Sequence, residues 1–384
     1  MTRFFRLGWV LIALFAMACN RFNPVNDQMY EVPTQNTQYS SIALDALRDA
    51  INDYPNNPDH HYRLALYHLH NQQDSLALLA VNEALKLDST QSSYLFALAK
   101  IYQNQKKYAQ AINSILKGQS QEENNFEGLL LTGELYFQNK EYDNAIKYLN
   151  KALKITNRDA RVYYWKGNVE IARYDSANAL KNLHQAIKLN PQYFEVYNSF
   201  TELFIKYEMF NTAIKYANEG LKINPKFPYL YFNKGEAFRL KRLFDDSARV
   251  NYEKCYQIDP SMFWASYHLG VYAYEQGKTQ TAQKYFEHTL KLNPDISKAH
   301  YYLGMCLRFA NKKKEALKSL GQAIQLNPKD LIAGEMYWQV KNDIYQEELL
   351  RREDSTRRAY YKWLDEQQKK EQERLKELYK KNSD

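Results

Sequence analysis

The residues best able to do chemistry in this chain are few. Asp59, His60 and His61, followed by His68 and His70, are its one metal-like group of side chains. His61 and His68 stand seven residues apart, so a helix would place both imidazoles on one face. Imidazoles grouped in that way suit zinc or a related transition metal. The same positions also suit polar-tolerant core places at the exposed first end of a helical stack, and that account is preferred. Cys255 and Cys306 are too few to make a disulfide framework. The chain has no Cys-x-x-Cys, His-Glu-x-x-His, Gly-x-Ser-x-Gly, calcium loop or Gly-rich phosphate cradle. No catalytic residue, metal or cofactor is assigned.

The composition favours a helical chain. Its 384 residues are 45% hydrophobic and 25% charged, with 33 tyrosines but only 12 glycines and 10 prolines. So few breakers favour long helices over many short strands, and tyrosine serves equally in a core or a binding surface. A net charge of +8 could draw nucleic acid, anionic lipid or acidic protein, and selects none of them.

The N-terminus carries an address. Arg3 and Arg6 precede an apolar run from Leu7 to Ala18, and Cys19 follows directly. A charged start, a short apolar stretch and a small-residue end make a signal peptide, too short to span a bilayer, which needs about 20 residues. Ala16-Met17-Ala18-Cys19 resembles a bacterial lipobox, although Ala16 stands where Leu is commoner. The resemblance implies a lipid-modified Cys19 as the new N-terminus. Plain cleavage after Ala18, giving a soluble periplasmic or secreted protein, and an uncleaved anchor are the alternatives.

The remainder repeats itself. One alanine column runs Ala77, Ala111, Ala145, Ala179, Ala213, Ala248, Ala282 and Ala316, in steps of 34 residues with a single step of 35. A small-residue column runs Ala84, Gly118, Ala152, Ala186, Gly220, Cys255, Thr289 and Ala323. Another runs Ala65, Ala99, Gly133, Gly167, Thr201, Gly235, Gly270 and Gly304, and prolines recur at Pro191, Pro225, Pro260, Pro294 and Pro328. These columns, with copies such as His300-x-x-Leu303-Gly304 followed by Ala316, Leu320, Ala323 and Pro328, resemble the tetratricopeptide repeat. The resemblance implies an all-α fold, a right-handed α-solenoid of tandem helix pairs closed by a long C-terminal capping helix. Small residues would let paired helices approach closely, where larger ones would overpack. The Asn-Pro and Asp-Pro pairs would end each second helix. The extra residue falls in the turn around Lys241 and Arg242.

Five segments follow: a signal peptide over 1–18, a lipidated cysteine and flexible tether over 19–40, and a half repeat over 41–57. Eight repeats fill 58–330, and a capping helix with a charged tail fills 331–384. The last of these reads as one helix or two. Its distal part, Arg351–Lys381, has 11 basic and 7 acidic residues. It suits a polar end-cover for the stack, a partner-binding basic arm or a loose tail.

The resemblance also implies a concave groove lined by first helices. Its recurring contact positions fall on Glu127, Leu130, Glu134 and Phe137, on Glu195, Asn198 and Glu202, and on Glu236. A C-terminal aromatic and arginine cluster adds Tyr229, Phe232, Arg239, Trp264, Tyr267, Tyr274, Tyr301 and Arg308. Tyr, Trp and Arg are the residue types that dominate binding hot spots. These rings also suit packing between repeats. Tyr62, Leu66 and Phe96 stand where a carboxylate clamp needs Lys and Asn, so that binding mode is not expected. The implied function is a non-enzymatic protein-interaction scaffold or assembly factor of the bacterial cell envelope. It would be lipid-anchored, in the outer membrane rather than the inner, and would bind other envelope proteins or peptide segments, not nucleic acid. Self-association through the C-terminal helix is the alternative; oligomeric state stays open.

Overall fold

A computed structural model describes residues 37–120, 125–241 and 246–381, with side chains over 43–120, 125–241 and 246–374. The signal segment, Cys19, most of the tether and the extra residue after Lys241 lie outside these. The described residues form 18 α-helices and no strand. They fall into two compact units divided between Val196 and Tyr197.

The first unit contains α1 (Thr37–Asp53), α2 (Pro58–His70), α3 (Asp74–Leu87), α4 (Ser92–Asn104) and α5 (Tyr108–Gln119), then α6 (Phe126–Gln138), α7 (Tyr142–Ile155), α8 (Ala160–Ala172) and α9 (Ser176–Leu189). From α2 onward each even-numbered helix pairs with the next, and each second helix packs on the following first helix. α1 starts inside the segment expected as tether.

The division falls inside α10 (Phe194–Lys206), whose residues from Tyr197 open the second unit, followed by α11 (Phe210–Ile223), α12 (Pro228–Leu240), α13 (Asp246–Ile258) and α14 (Phe263–Glu275). Then come α15 (Thr279–Leu292), α16 (Ser297–Phe309), α17 (Lys313–Leu326) and α18 (Leu331–Lys381). The same pairing and stacking recur from α12 to α17, and α18 packs on α17.

Local chemistry sets where helices stop. The first helix of a pair closes on a residue in the left-handed region: Gln72, Lys106, Lys140, Tyr174, Glu208, Gly277 and Asn311 all have φ of 56° to 69°. The next backbone N–H reaches five residues back, as Glu141 to Tyr136 at 2.8 Å and Lys278 to Ala273 at 2.9 Å, which satisfies carbonyls the helix leaves open. From α9 onward, second helices end on Asn or Asp before proline. There the side chain of Asn190, Asn224, Asp259 or Asn293 accepts from the N–H two residues on, at 2.9–3.1 Å. This bond stabilises the turn, and the proline bars the helix from continuing.

The small-residue columns are where paired helices meet. Ala77, Ala111, Ala145, Ala179, Ala213, Ala282 and Ala316 are wholly buried, while Ala248 is half-buried. A Cβ on Gly133 would lie 2.6 Å from Leu149 Cγ, and one on Gly270 would lie 2.8 Å from the Phe286 ring. No side chain fits there without displacing its partner.

The C-terminal segment is a single helix of 51 residues. Asp330 caps it, its carboxylate accepting from Ala333 N–H at 3.1 Å. Ala333 and Val340 are fully buried, and Met336, Tyr337 and Ile344 pack around Leu307 and Leu320. Lys313 Nζ reaches Glu347 at 2.6 Å. Beyond that point the helix leaves the stack: from Arg351 to Arg374 all side chains but half-buried Leu364 are exposed. The expected cap is therefore confined to the first 17 residues or so of α18, because its distal half has no apolar stripe facing α17.

Gly270→Val is expected to destabilise the protein by about 3 kcal/mol by overpacking against Phe286, read from the urea midpoint. An unchanged midpoint would refute close approach at this column.

Candidate functional site

Neighbouring first helices touch in both units, α2 with α4 and α6 with α8 in the first, and α14 with α16 in the second. Their outward side chains form one face of each stack. This face is cross-linked by polar bonds between residues about one repeat apart. In the first unit Tyr94 donates to Asp59 at 2.6 Å, and Gln103 donates to Glu134 at 2.6 Å and Gln138 at 2.9 Å. Arg161 grips Glu127 with two N–H groups at 2.6 and 3.0 Å while also holding Asp159 at 2.7 Å. In the second unit Asn233 donates to Asn198 at 2.9 Å and Glu202 at 3.1 Å.

The carboxylates on this face differ by what holds them. Burial raises Glu134 and Glu202 above the usual range, outweighing Lys100 and Gln103 beside the first and the amides of Asn233 and Asn198 beside the second. Glu202 is reached by solvent yet crowded by protein. Burial alone would raise Glu236 too, but hydrogen bonds from Arg239 and Tyr252 and the nearby His268 hold it below that range. Arg239 Nη2 lies 2.6 Å from Glu236, and His268 Nε2 lies 3.2 Å from it. His268 also stacks on Tyr252, with centroids 4.8 Å apart and planes 13° apart. Burial pushes His268 down to about 4, so at neutral pH it is an uncharged donor to Glu236.

The C-terminal cluster expected from sequence is split by the structure. Trp264 and Tyr229 stand free to solvent, at 44% and 49% exposure, and Arg239, near the other end of α12 from Tyr229, is exposed as well. Phe232, Tyr274, Tyr301 and Arg308 are half-buried. Phe232 leans on Tyr252 and His268, and Tyr274 on Tyr302 and Phe309. Tyr301 joins the core under α18. Arg308 bridges to Gln339 at 3.3 Å and Asp343 at 3.5 Å. Tyr267 lies deeper than the rest of this cluster. It is buried, its ring packed between Phe286 and Tyr302, because the next repeat's first helix covers that position. Leu130 is buried for the same reason, while Phe137 packs on Tyr142 and Trp165. Glu127 and Glu195 remain at the face.

The histidines and cysteines are each used separately. His61 reaches the Pro55 carbonyl at 3.0 Å, as His300 does with Pro294 at 2.8 Å, and His68 reaches Gln73 at 2.7 Å. No group of three or more His, Cys, Asp or Glu able to hold a metal occurs among the described residues. Cys255 and Cys306 are buried free thiols, pushed by burial up to about 12 and about 11, which leaves them inert. No described helix is long and apolar enough to cross a membrane.

Known families and structures match this geometry. Residues 40–92, 92–125 and 267–330 match the tetratricopeptide repeat, and residues 133–170 match the TPR repeat. The chain carries tetratricopeptide repeats. No curated protein matches it by sequence. PilF of Pseudomonas aeruginosa is 15% identical over 56% of this chain and 97% of its own, with a TM-score of 0.52. Yeast Tom70 is 16% identical over 78% of this chain and 62% of its own, with a TM-score of 0.57. The APC/C hetero-tetramer Cut9–Hcn1 gives 13% identity over 78% and 59%, with a TM-score of 0.53. At such identities the likeness is one of fold.

Several residues of the tetratricopeptide face were not foreseen. Arg161, Asn233 and His268 belong to first helices but have no counterpart of their type one repeat away, so no column drew attention to them. For His268, the unfolded chain gains a proton between pH 6.5 and about 4 that the folded chain refuses. Stability therefore falls as pH falls through that window. His268→Asn is expected to remove up to about 3 kcal/mol of that fall, measured by urea unfolding at pH 7 and pH 4.5. A pH dependence identical to that of the parent protein would exclude a buried neutral imidazole.

Proposed function

We propose that this tetratricopeptide chain is a non-enzymatic scaffold or assembly factor that holds partner segments along the first-helix face of residues 229–308. Tyr229 and Trp264 carry this reading. They occupy equivalent places on α12 and α14 and remain exposed; Trp264 lies against His268, with centroids 6.4 Å apart, His268 is held by Glu236, and Tyr229 leans on Phe227. Exposed aromatic and arginine side chains over a rigid base match the composition of binding hot spots, and preorganisation lowers the ordering cost of binding. The partner is a protein or peptide rather than nucleic acid, since this face sets carboxylates beside each arginine. In Cut9–Hcn1 a chain of similar fold is found in a hetero-tetramer, which supports a partner-holding role. Fold likeness by itself does not fix the partner.

The chain is further proposed to be exported and tethered in the bacterial envelope, at the outer membrane, by lipid on Cys19. The charged start, the apolar run and Ala16-Met17-Ala18-Cys19 support this.

Replacing Tyr229 and Trp264 together with alanine is expected to weaken binding of the partner that co-purifies with the native chain by at least tenfold. Helix content and unfolding midpoint should stay the same. Full binding by the double variant would sink the face assignment. Cys19→Ser should move the protein from membrane to soluble fractions; retention at the membrane would discard the lipid tether.

A further inference from the structure

The glycine column meets an unexpected residue one step past its end. Gly304 lies against Leu320, where even a Cβ would come within 2.7 Å of that side chain. Thirty-four residues on, the same place on α18 is Trp338, which is 62% exposed. A second helix of the repeat type cannot close on an indole at that spacing. The stack is thus barred from continuing through another repeat, whether from this chain or another.

Trp338 also belongs to a stripe. Leu331, Trp338 and Tyr345 are seven residues apart, and Trp363 follows Tyr345 by about five helical turns, on the same side. Tyr360 stacks beside Trp363, with centroids 6.2 Å and planes 24° apart. All five side chains are more than half exposed. The stripe lies away from Ala333 and Val340, which face α17, and runs about 48 Å along the helix.

We propose that this stripe pairs with the same stripe of a second copy, joining two chains through their α18 helices. Three observations choose that occupant. Two ordinary helices cross at about 8–10 Å, which leaves room for the rings that exclude a repeat-type helix. Aromatic side chains bury about 150–250 Å² each. The five exposed side chains would then contribute on the order of 1,000 Å² across two copies, with Leu349, Thr356 and Leu364 extending it towards the roughly 1,200–2,000 Å² of a specific interface. Lastly, the distal helix interleaves both signs of charge, with 11 basic and 7 acidic residues. Beside the stripe Glu353 and Glu371 fall on one flank and Arg352 and Lys370 on the other, so a second copy lying parallel would set opposite charges against each other. A twofold contact of this kind is self-limiting at the dimer.

The test is sedimentation velocity on the chain at about 1 µM and about 100 µM, with and without residues 1–19, so that association through the leader is seen separately. A monomer–dimer equilibrium independent of the leader is expected. Trp338→Glu combined with Trp363→Glu should weaken it at least tenfold with an unchanged unfolding midpoint, because neither ring packs on the rest of the fold. A monomer at both concentrations, association lost with the leader, a dimer indifferent to the two substitutions, or an open series of larger species would each overturn the proposal.

Discussion

The fold depends on the distance between the two helices of each pair. Gly133, Gly167, Gly235, Gly270 and Gly304 sit where a bulky partner such as Leu149, Leu183, Tyr252, Phe286 or Leu320 presses against bare backbone. The wholly buried alanines of the second helices complete the contact. One pair alone buries too little to be stable, so closeness within pairs matters because it lets flat, regular units stack. Large side chains then fill the layers between pairs, as Phe286 does against Tyr302 with planes 6° apart.

Stacking at near-constant spacing brings residues one repeat apart into hydrogen-bond range. That is why the first-helix face carries Gln103 on Glu134, Arg161 on Glu127 and Asn233 on Glu202. Each bond ties neighbouring repeats together and fixes side chains that solvent would otherwise leave loose. The same bonds consume potential ligand contacts, so what remains for a partner are the groups that stacking does not occupy. In the second unit Tyr229, Trp264 and Arg239 are among the side chains left exposed.

The end of the stack follows the same rule in reverse. α18 begins as a proper first helix, burying Ala333 and Val340 and bonding back through Asp343 and Glu347. It then continues as a helix with nothing among the described residues to rest on. Isolated helices gain little from propensity alone, and most helical stability in proteins comes from tertiary packing of an apolar face. An exposed helix with an aromatic stripe is therefore a surface prepared for contact.

What the sequence determined on its own was the repeating unit. Four columns at a period of 34 require close helix pairs, and prolines after Asn or Asp mark where second helices stop, because both are constraints on one residue and its immediate backbone. First-helix ends were less legible: the left-handed residue that closes them is Gln72, Lys106, Lys140, Tyr174 or Glu208, and only Gly277 and Asn311 carry the expected residue types. The tertiary structure alone decided which projected face residues are accessible. Tyr267 and Trp264 are three residues apart and chemically alike, yet the following helix pair covers the first and leaves the second open. Burial of a ring is set by what stands beyond it in space, and a periodic sequence gives every repeat the same address while its neighbours differ.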